Sequence, residues 1–115
     1  MDRGEIYDAE LDAPGTVPGH EQIGYRPVLI ISPAAYNIRS LFVVIVPFTK
    51  TQKLGSLPHT ITVEPSVQNG LDVRSILLVL QIRALDKRRI RLDKYRGIIS
   101  PEILVNAMRM IEEMI

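Results

Sequence analysis

The apolar residues of this chain are gathered into short runs rich in β-branched side chains, and turn-forming residues separate one run from the next. Runs of this length are typical of strands that are buried in a sheet. The longest run, Leu41–Phe48, is far too short to span a bilayer, so we expect no membrane segment. The pattern predicts strands over Glu5–Leu11, Arg26–Ile31, Leu41–Val46, Thr60–Val63, Ser75–Leu80 and Ile90–Ile99.

Only the end of the chain has a helical pattern. Ser100 offers an N-cap hydroxyl, Pro101 suits the first helical position and Glu102 places an acid in the first turn. Apolar residues then recur at helical spacing. Strands in series with one terminal helix predict a mainly β, α+β fold, a small antiparallel barrel or sheet with a C-terminal helix packed on it. With 115 residues, we expect a single domain over residues 1–115.

Several kinds of chemistry are excluded by residues that the chain lacks. It has no cysteine, which excludes disulfides, thiolate nucleophiles and iron–sulfur sites and fits a reducing cytoplasm. His20 and His59 lie 39 positions apart, which is not a metal-ligand spacing. No glycine-rich nucleotide loop is present. We therefore expect no metal and no cofactor.

Charge is unevenly distributed along the chain, although its net value is only +1. Residues 1–21 hold six acids and one base, whereas residues 83–96 hold seven bases and two acids. A basic block of this kind suits an anionic partner, nucleic acid above all. It is equally typical of a solvated surface ribbon, and composition does not separate the two interpretations.

Four segments, in order and at matching spacing, resemble the MazF/PemK family of toxins from prokaryotic toxin–antitoxin systems. They are Arg3–Tyr7 (RGEIY), Gly19–Pro33 (GHEQIGYRPVLIISP), Val46–Thr49 (VPFT) and Gln81–Ile90 (QIRALDKRRI). The resemblance implies a five-stranded, Src-homology-3-like barrel of the CcdB/PemK (MazF) type. It implies a cytoplasmic, metal-independent endoribonuclease toxin that cleaves single-stranded RNA, mostly mRNA, at short motifs to leave 2′,3′-cyclic phosphate and 5′-hydroxyl ends.

The same resemblance implies the partners. An acidic, MazE-like antitoxin would cover the RNA site and block it. The working unit would be a homodimer, for which the apolar helix face with Met108, Ile111 and Ile115 is a candidate contact.

The resemblance places the chemistry at three residues. Arg26 stands where the family has its catalytic arginine, and a guanidinium is better suited to stabilising phosphorane charge than to moving a proton. The Thr49 hydroxyl would bond a phosphate oxygen or hold the reacting groups in line. Glu21 would act as a base or orient Arg26. Without the resemblance, Arg26 and Glu21 would be interpreted as an ion pair in a loop, and Thr49 as a threonine in the turn at the end of a strand.

RNA contacts are implied for five further residues. Gln22 and Gln81 match family glutamines, and amides read base edges as well as satisfying buried backbone groups. Arg83 and Lys87 would contact phosphates or antitoxin carboxylates. His20 stands where the family usually has serine, and it would either assist proton transfer or be an ordinary exposed loop residue.

Departures from the family pattern leave a second interpretation open. Ile23 replaces a glycine, Arg74 and Leu80 each replace an acid, and Asp8 replaces an aromatic residue. Together with the basic block, they suit a catalytically weak nucleic-acid-binding regulator built on the same fold. A third interpretation, a protein-binding module like the CcdB-type toxins, is supported by the fold alone.

Overall fold

The computed structural model describes residues 1–11 and 24–115. Within these residues, seven strands form one sheet, in which every strand pair is antiparallel. The strand order is β4-β5-β3-β2-β1-β7, and β6 also pairs with β3. The elements are β1 (Glu5–Glu10), β2 (Tyr25–Ile30), α1 (Ala34–Asn37), β3 (Phe42–Thr49), β4 (Thr60–Val63), β5 (Ser75–Leu78), β6 (Arg83–Asp86), β7 (Ile90–Ile98) and α2 (Pro101–Met114).

The six strands expected from the sequence are confirmed, although β5 ends at Leu78, where a 3-10 turn begins. β6 is a seventh strand that the sequence pattern does not predict, and both numbers exceed the five of the implied barrel. β6 has one buried apolar residue, Leu85, so its sequence has no strand pattern. Its extended form comes from pairing with β3, where Leu85 lies opposite Val43. β3 also runs further than expected, through Pro47 to Thr49.

The central strands are buried on both faces, which explains their unbroken apolar sequences. Leu29 and Val46 belong to one core cluster, and their neighbours Val28 and Ile45 belong to a second. Alternate residues of one strand therefore enter different cores. Helix α2 lies against the first cluster, to which it contributes the buried Ala107 and Ile111.

Helix α2 begins as its sequence predicts. The Ser100 hydroxyl accepts a hydrogen bond from the Ile103 amide at 3.3 Å, and Pro101 is in the first turn. Ile111 is buried inside the subunit, whereas Ile115 is 97% exposed. Within the candidate dimer face, Ile111 therefore packs into its own core, and Ile115 is left on the surface for contact with a second subunit. No helix in residues 1–11 or 24–115 is long and apolar enough to cross a membrane.

Strand β3 changes partner along its length, and this change creates the site. Its last pair with β2 is Val28–Pro47, after which Phe48 and Thr49 pair with β5. Pro27 and Pro47 have no amide hydrogen, so neither donates a hydrogen bond at the point where the two strands separate. The start of β2 and the end of β3 are left on opposite sides of a gap.

Candidate active-site cleft

A cleft of about 260 Å³ opens where β2 separates from β3. Arg26 comes from the start of β2, and Thr49 from the end of β3. Continuing the register beyond the Val28–Pro47 pair would set Arg26 opposite Thr49. The cleft wall also includes Lys50, Ser75 and Arg96. Two residues that are 23 positions apart in the chain thus face the same small volume.

The Thr49 hydroxyl is oriented by the backbone that follows it. Its Oγ1 accepts a hydrogen bond from the Thr51 amide at 3.2 Å. A hydroxyl has one hydrogen to donate and two lone pairs, so the hydrogen and one lone pair stay available. The side chain is therefore suited to donate to an anionic oxygen in the cleft.

The two rims of the cleft are tied together by a glutamine. Gln52 Nε2 donates to the Lys50 carbonyl at 3.1 Å and to the Arg74 carbonyl at 2.9 Å. The neighbouring Ser75 hydroxyl donates to the Val73 carbonyl at 3.0 Å. The segment after β3 and the segment before β5 consequently hold a fixed spacing.

The described wall of the cleft is cationic. Arg26, Lys50 and Arg96 line it, and no carboxylate or imidazole does so among the residues that the structure describes. Hydrogen bonds from Arg96 to Asp8 raise the pKa of this guanidinium, so Arg96 stays charged. The wall suits an anion such as a phosphodiester. Within residues 1–11 and 24–115, no three His, Asp or Glu side chains are grouped closely enough to hold a metal ion.

An aromatic ring stands at the edge of the cleft. Tyr25 is 51% exposed, and the Arg91 guanidinium lies over its ring, with Cζ 4.7 Å from the ring centroid. Arg91 is held by Asp93, whose hydrogen bonds raise the pKa of the arginine. The stacked pair orders the tyrosine ring beside Arg26.

Comparison with known proteins agrees with this architecture. A family model described as a PemK-like, MazF-like toxin of a type II toxin–antitoxin system matches residues 2–115. The chain belongs to the PemK/MazF toxin family.

Members of that family are similar to the chain over most of its length. An endoribonuclease MazF from Staphylococcus saprophyticus is 37% identical over 91 residues, which are 79% of this chain and 72% of the relative. The crystal structure of MazF from Deinococcus radiodurans has a TM-score of 0.74 at 27% identity, covering 99% of this chain and 94% of that one. A mycobacterial endoribonuclease in complex with its cognate antitoxin has a TM-score of 0.66 at 26% identity, covering 97% and 87%.

The two residues that the PemK/MazF resemblance places at the centre of the chemistry, Arg26 and Thr49, line one cleft. Glu21, the third expected catalytic residue, lies outside the described residues, as do the expected RNA contacts His20 and Gln22 and the departure at Ile23. Gly24, which is described, lines the cleft and is three positions from Glu21 in the chain. The role of Glu21 stays a prediction.

The remaining expected RNA contacts, Gln81, Arg83 and Lys87, are not among the residues that line the cleft. Gln81 is exposed at the end of a 3-10 turn, and Arg83 lies opposite Ile45, four residues and roughly 13 Å along β3 from Thr49. Lys87 lies still further along, where its Nζ donates to the Asn37 carbonyl at 2.6 Å. RNA bound in the cleft would have to continue along β3 to meet Arg83, and these three contacts stay predictions.

Much of the basic block is paired within the subunit. Arg88 binds Asp86 at 2.8 Å, and its hydrogen bonds lower the pKa of that carboxyl to about 2. Arg91 binds Asp93 at 3.0 Å. Arg96 is the member of the block that lines the cleft. Sequence reasoning gave Arg96 no separate role, and it also missed Lys50 and Ser75, because their place in the cleft depends on how β3, β5 and β7 are arranged.

Proposed function

We propose that this toxin is a metal-independent endoribonuclease of the cytoplasm that cleaves single-stranded RNA, mostly mRNA, at a short sequence motif. The observation that carries the proposal is the meeting of Arg26 and Thr49 in a cationic cleft of about 260 Å³. The activity in the name of the staphylococcal relative supports it. The metal independence rests on the family resemblance alone.

The proposed reaction is an in-line attack by a ribose 2′-hydroxyl on the adjacent phosphate. The 2′ oxygen forms a bond to phosphorus and gives up its proton to a base. The bond from phosphorus to the 5′ oxygen breaks, and that oxygen takes up a proton. The products are a 2′,3′-cyclic phosphate and a 5′-hydroxyl, so atoms and charge balance without an added oxidant or reductant.

The cleft side chains divide this work. The planar guanidinium of Arg26 binds the non-bridging phosphate oxygens in two contacts and stabilises the charge that grows on them. The Thr49 hydroxyl, oriented by the Thr51 amide, donates to one of these oxygens and holds the phosphate in line. Glu21 is the proposed base, since no carboxylate lines the cleft within residues 1–11 and 24–115.

We propose that an acidic antitoxin blocks the same cleft and that the toxin works as a homodimer. The mycobacterial structure is an endoribonuclease in complex with its cognate antitoxin, which supports an inhibitor of this class. The cations that suit an RNA phosphate also suit antitoxin carboxylates. RNA and antitoxin would therefore compete.

A nucleic-acid-binding regulator on the same fold is the alternative. It is favoured by the absence of a base among the described cleft residues and by the departures at Arg74 and Leu80. It predicts salt-dependent RNA binding without a cleaved product.

The decisive test is incubation of the purified protein with a long single-stranded RNA in EDTA, with primer extension to map new ends. Arg26→Ala is the active-site variant, and Arg109→Ala, an exposed arginine on α2, is the matched control. We expect discrete cuts with cyclic-phosphate ends for the wild type and Arg109→Ala and none for Arg26→Ala. Two long RNAs of different sequence that both stay intact while binding persists would establish the regulator instead.

A further inference from the structure

Arg96 reaches the cleft because of an irregularity in β7. The β1–β7 register pairs Ile6 with Gly97 and then Tyr7 with Tyr95, so no β1 residue lies opposite Arg96 in the backbone pairing. A bulge of this kind turns a side chain away from its regular direction. Arg96 lines the same cleft as Arg26 and Thr49.

Two carboxylates hold this guanidinium, and they differ in exposure. Arg96 Nε and Nη2 donate to the two oxygens of Asp8, the Nε bond being 2.6 Å long, and the Asp8 side chain is only 16% exposed. Nη1 donates to Asp72 at 3.3 Å, and the Asp72 side chain is 73% exposed. Asp8 is thus the fixed partner, whereas Asp72 makes a long contact from the solvent side.

The loop that carries Asp72 is held by hydrogen bonds that do not involve Asp72. Asn69 Oδ1 accepts hydrogen bonds from the Ser66 and Leu71 amides at 2.9 Å each. The Gly70 carbonyl accepts from Arg96 Nη1 at 3.1 Å. Asp8 and the Gly70 carbonyl therefore hold the Arg96 guanidinium without help from Asp72, and removing the Asp72 charge leaves the guanidinium oriented.

We propose that Arg96 is a second phosphate-binding arginine of the cleft and that the Asp72 carboxylate takes the place of an RNA phosphate when no RNA is bound. The proposal rests on the proposed function, because it gives the same RNA a second contact beside the phosphate at Arg26. Four of the five guanidinium hydrogens are used by Asp8, Gly70 and Asp72. A phosphate would take the remaining Nη2 hydrogen together with the Nη1 hydrogen that Asp72 gives up.

The exchange is favoured by the strengths of the two contacts. An ion pair as exposed as Arg96–Asp72 contributes little to stability, since water screens it. A phosphate that bonds two guanidinium hydrogens makes a shorter, charge-assisted contact, and its binding releases counterions from the RNA. The exchange replaces one anion at Arg96 by another, and the released Asp72 carboxylate, 73% exposed, stays solvated.

The test measures binding of a 2′-fluoro single-stranded RNA, which lacks the attacking hydroxyl, at several salt concentrations. Asp72→Asn keeps Arg96 and Asp8 and removes the competing charge. We expect it to tighten binding about two- to five-fold at low salt, the size of an exposed ion-pair effect. The matched control is Glu64→Gln. Glu64 lies on the same loop, is 62% exposed and pairs with Arg74 instead of Arg96. We expect the RNA affinity of this variant to stay near that of the wild type.

Arg96→Gln supplies the second readout. We expect it to weaken binding about ten-fold and to reduce the slope of log affinity against log salt by roughly 0.7, the value for one phosphate contact on a single strand. If Arg96→Gln unfolds, Asp72→Asn remains decisive because it leaves the arginine in place. Equal affinities for Asp72→Asn and Glu64→Gln would overturn the proposal and leave Asp72 as a structural contact.

Cleavage of unmodified RNA by the wild type, measured in parallel, separates this proposal from the proposed function. Cleavage without a binding change in Asp72→Asn would reject the second phosphate contact and keep the enzyme. The expected binding changes without any cleavage would support the second phosphate contact and reject the proposed endoribonuclease activity.

Discussion

Arg26 and Thr49 are suited to different parts of one reaction because of their chemistry at the atomic scale. The guanidinium spreads positive charge over a planar fork that matches two phosphate oxygens. The hydroxyl is small and already oriented by the Thr51 amide at 3.2 Å. Substitutions that keep the size or the charge of each side chain test these roles separately.

Replacing Arg26 by lysine keeps the positive charge and removes the fork. We expect Arg26→Lys to slow cleavage about 100-fold, the effect of losing one placed donor to a developing anion, while RNA affinity changes less than about three-fold. Single-turnover rates and equilibrium binding would measure the two effects. Arg39→Lys, at an exposed position after α1, is the control and should cleave normally. A normal rate for Arg26→Lys would show that charge alone is sufficient.

Replacing Thr49 by valine removes the hydroxyl at nearly constant volume. We expect Thr49→Val to lower the single-turnover rate about 10- to 100-fold, because the phosphate loses a donor that holds it in line. Thr49→Ser keeps the hydroxyl and should retain most of the rate. The same loss in both variants would instead point to a packing role for the methyl group at the end of β3.

At the scale of elements, β7 and the loop before β5 are joined by backbone contact. Gly70 has a φ of +66°, and a Cβ built on it would lie 2.0 Å from the Arg96 carbonyl oxygen. The Ile98 amide donates to the Gln68 carbonyl at 2.8 Å beside this contact. The close approach fixes the position of the Arg96 backbone, from which the side chain extends. The loop before β5 therefore helps to position a residue that lines the cleft.

Gly70→Ala tests this contact. The added methyl group meets backbone, which must shift, and the left-handed φ is strained for alanine, so we expect a loss of roughly 2–4 kcal/mol of unfolding free energy. Urea denaturation would measure it. Gly24→Ala is the control, since a Cβ there has no atom within 4 Å, and its stability should be unchanged. Equal stability of the two variants would contradict the close approach.

The acid dependence of stability contains a contribution from the turn that follows β6. Arg88 lowers the pKa of Asp86 from 3.8 to about 2 in the folded state. A carboxyl whose folded pKa is lowered stabilises the fold above its unfolded pKa, and the contribution disappears as pH falls toward the folded value. We expect Asp86→Asn to make the unfolding free energy less dependent on pH between about 4 and 2, measured by urea melts. An unchanged slope would show that the pair is unimportant in solution.

At the scale of the whole molecule, the proposed partners share one surface. RNA phosphates and antitoxin carboxylates are both anions, and the cleft presents Arg26, Lys50 and Arg96 to either. Binding of one should exclude the other.

Competition and assembly are measurable together. We expect a cognate acidic antitoxin segment to displace RNA, and both affinities to fall as salt rises. A control segment with its acids replaced by amides should not displace RNA. Simultaneous binding of segment and RNA would contradict the shared site, and a clean monomer in sedimentation at micromolar concentration would contradict the proposed homodimer.

The sequence by itself determined the elements whose pattern is local. The run Arg26–Ile31 predicts β2 because its apolar part, Val28–Ile30, is buried on both faces of the sheet. Ser100 with Pro101 predicts the start of α2. The resemblance to the family also singled out Arg26 and Thr49 from four short segments.

Only the tertiary structure decided which of these residues share a site. β3 leaves β2 for β5 after Pro47, and this exchange of partners places Arg26, Thr49 and Ser75 around one cleft. The bulge in β7 adds Arg96, which the sequence does not distinguish from its basic neighbours. Strand pairing and bulges depend on contacts between distant residues, so a pattern read along the chain predicts the strands and leaves their partners open.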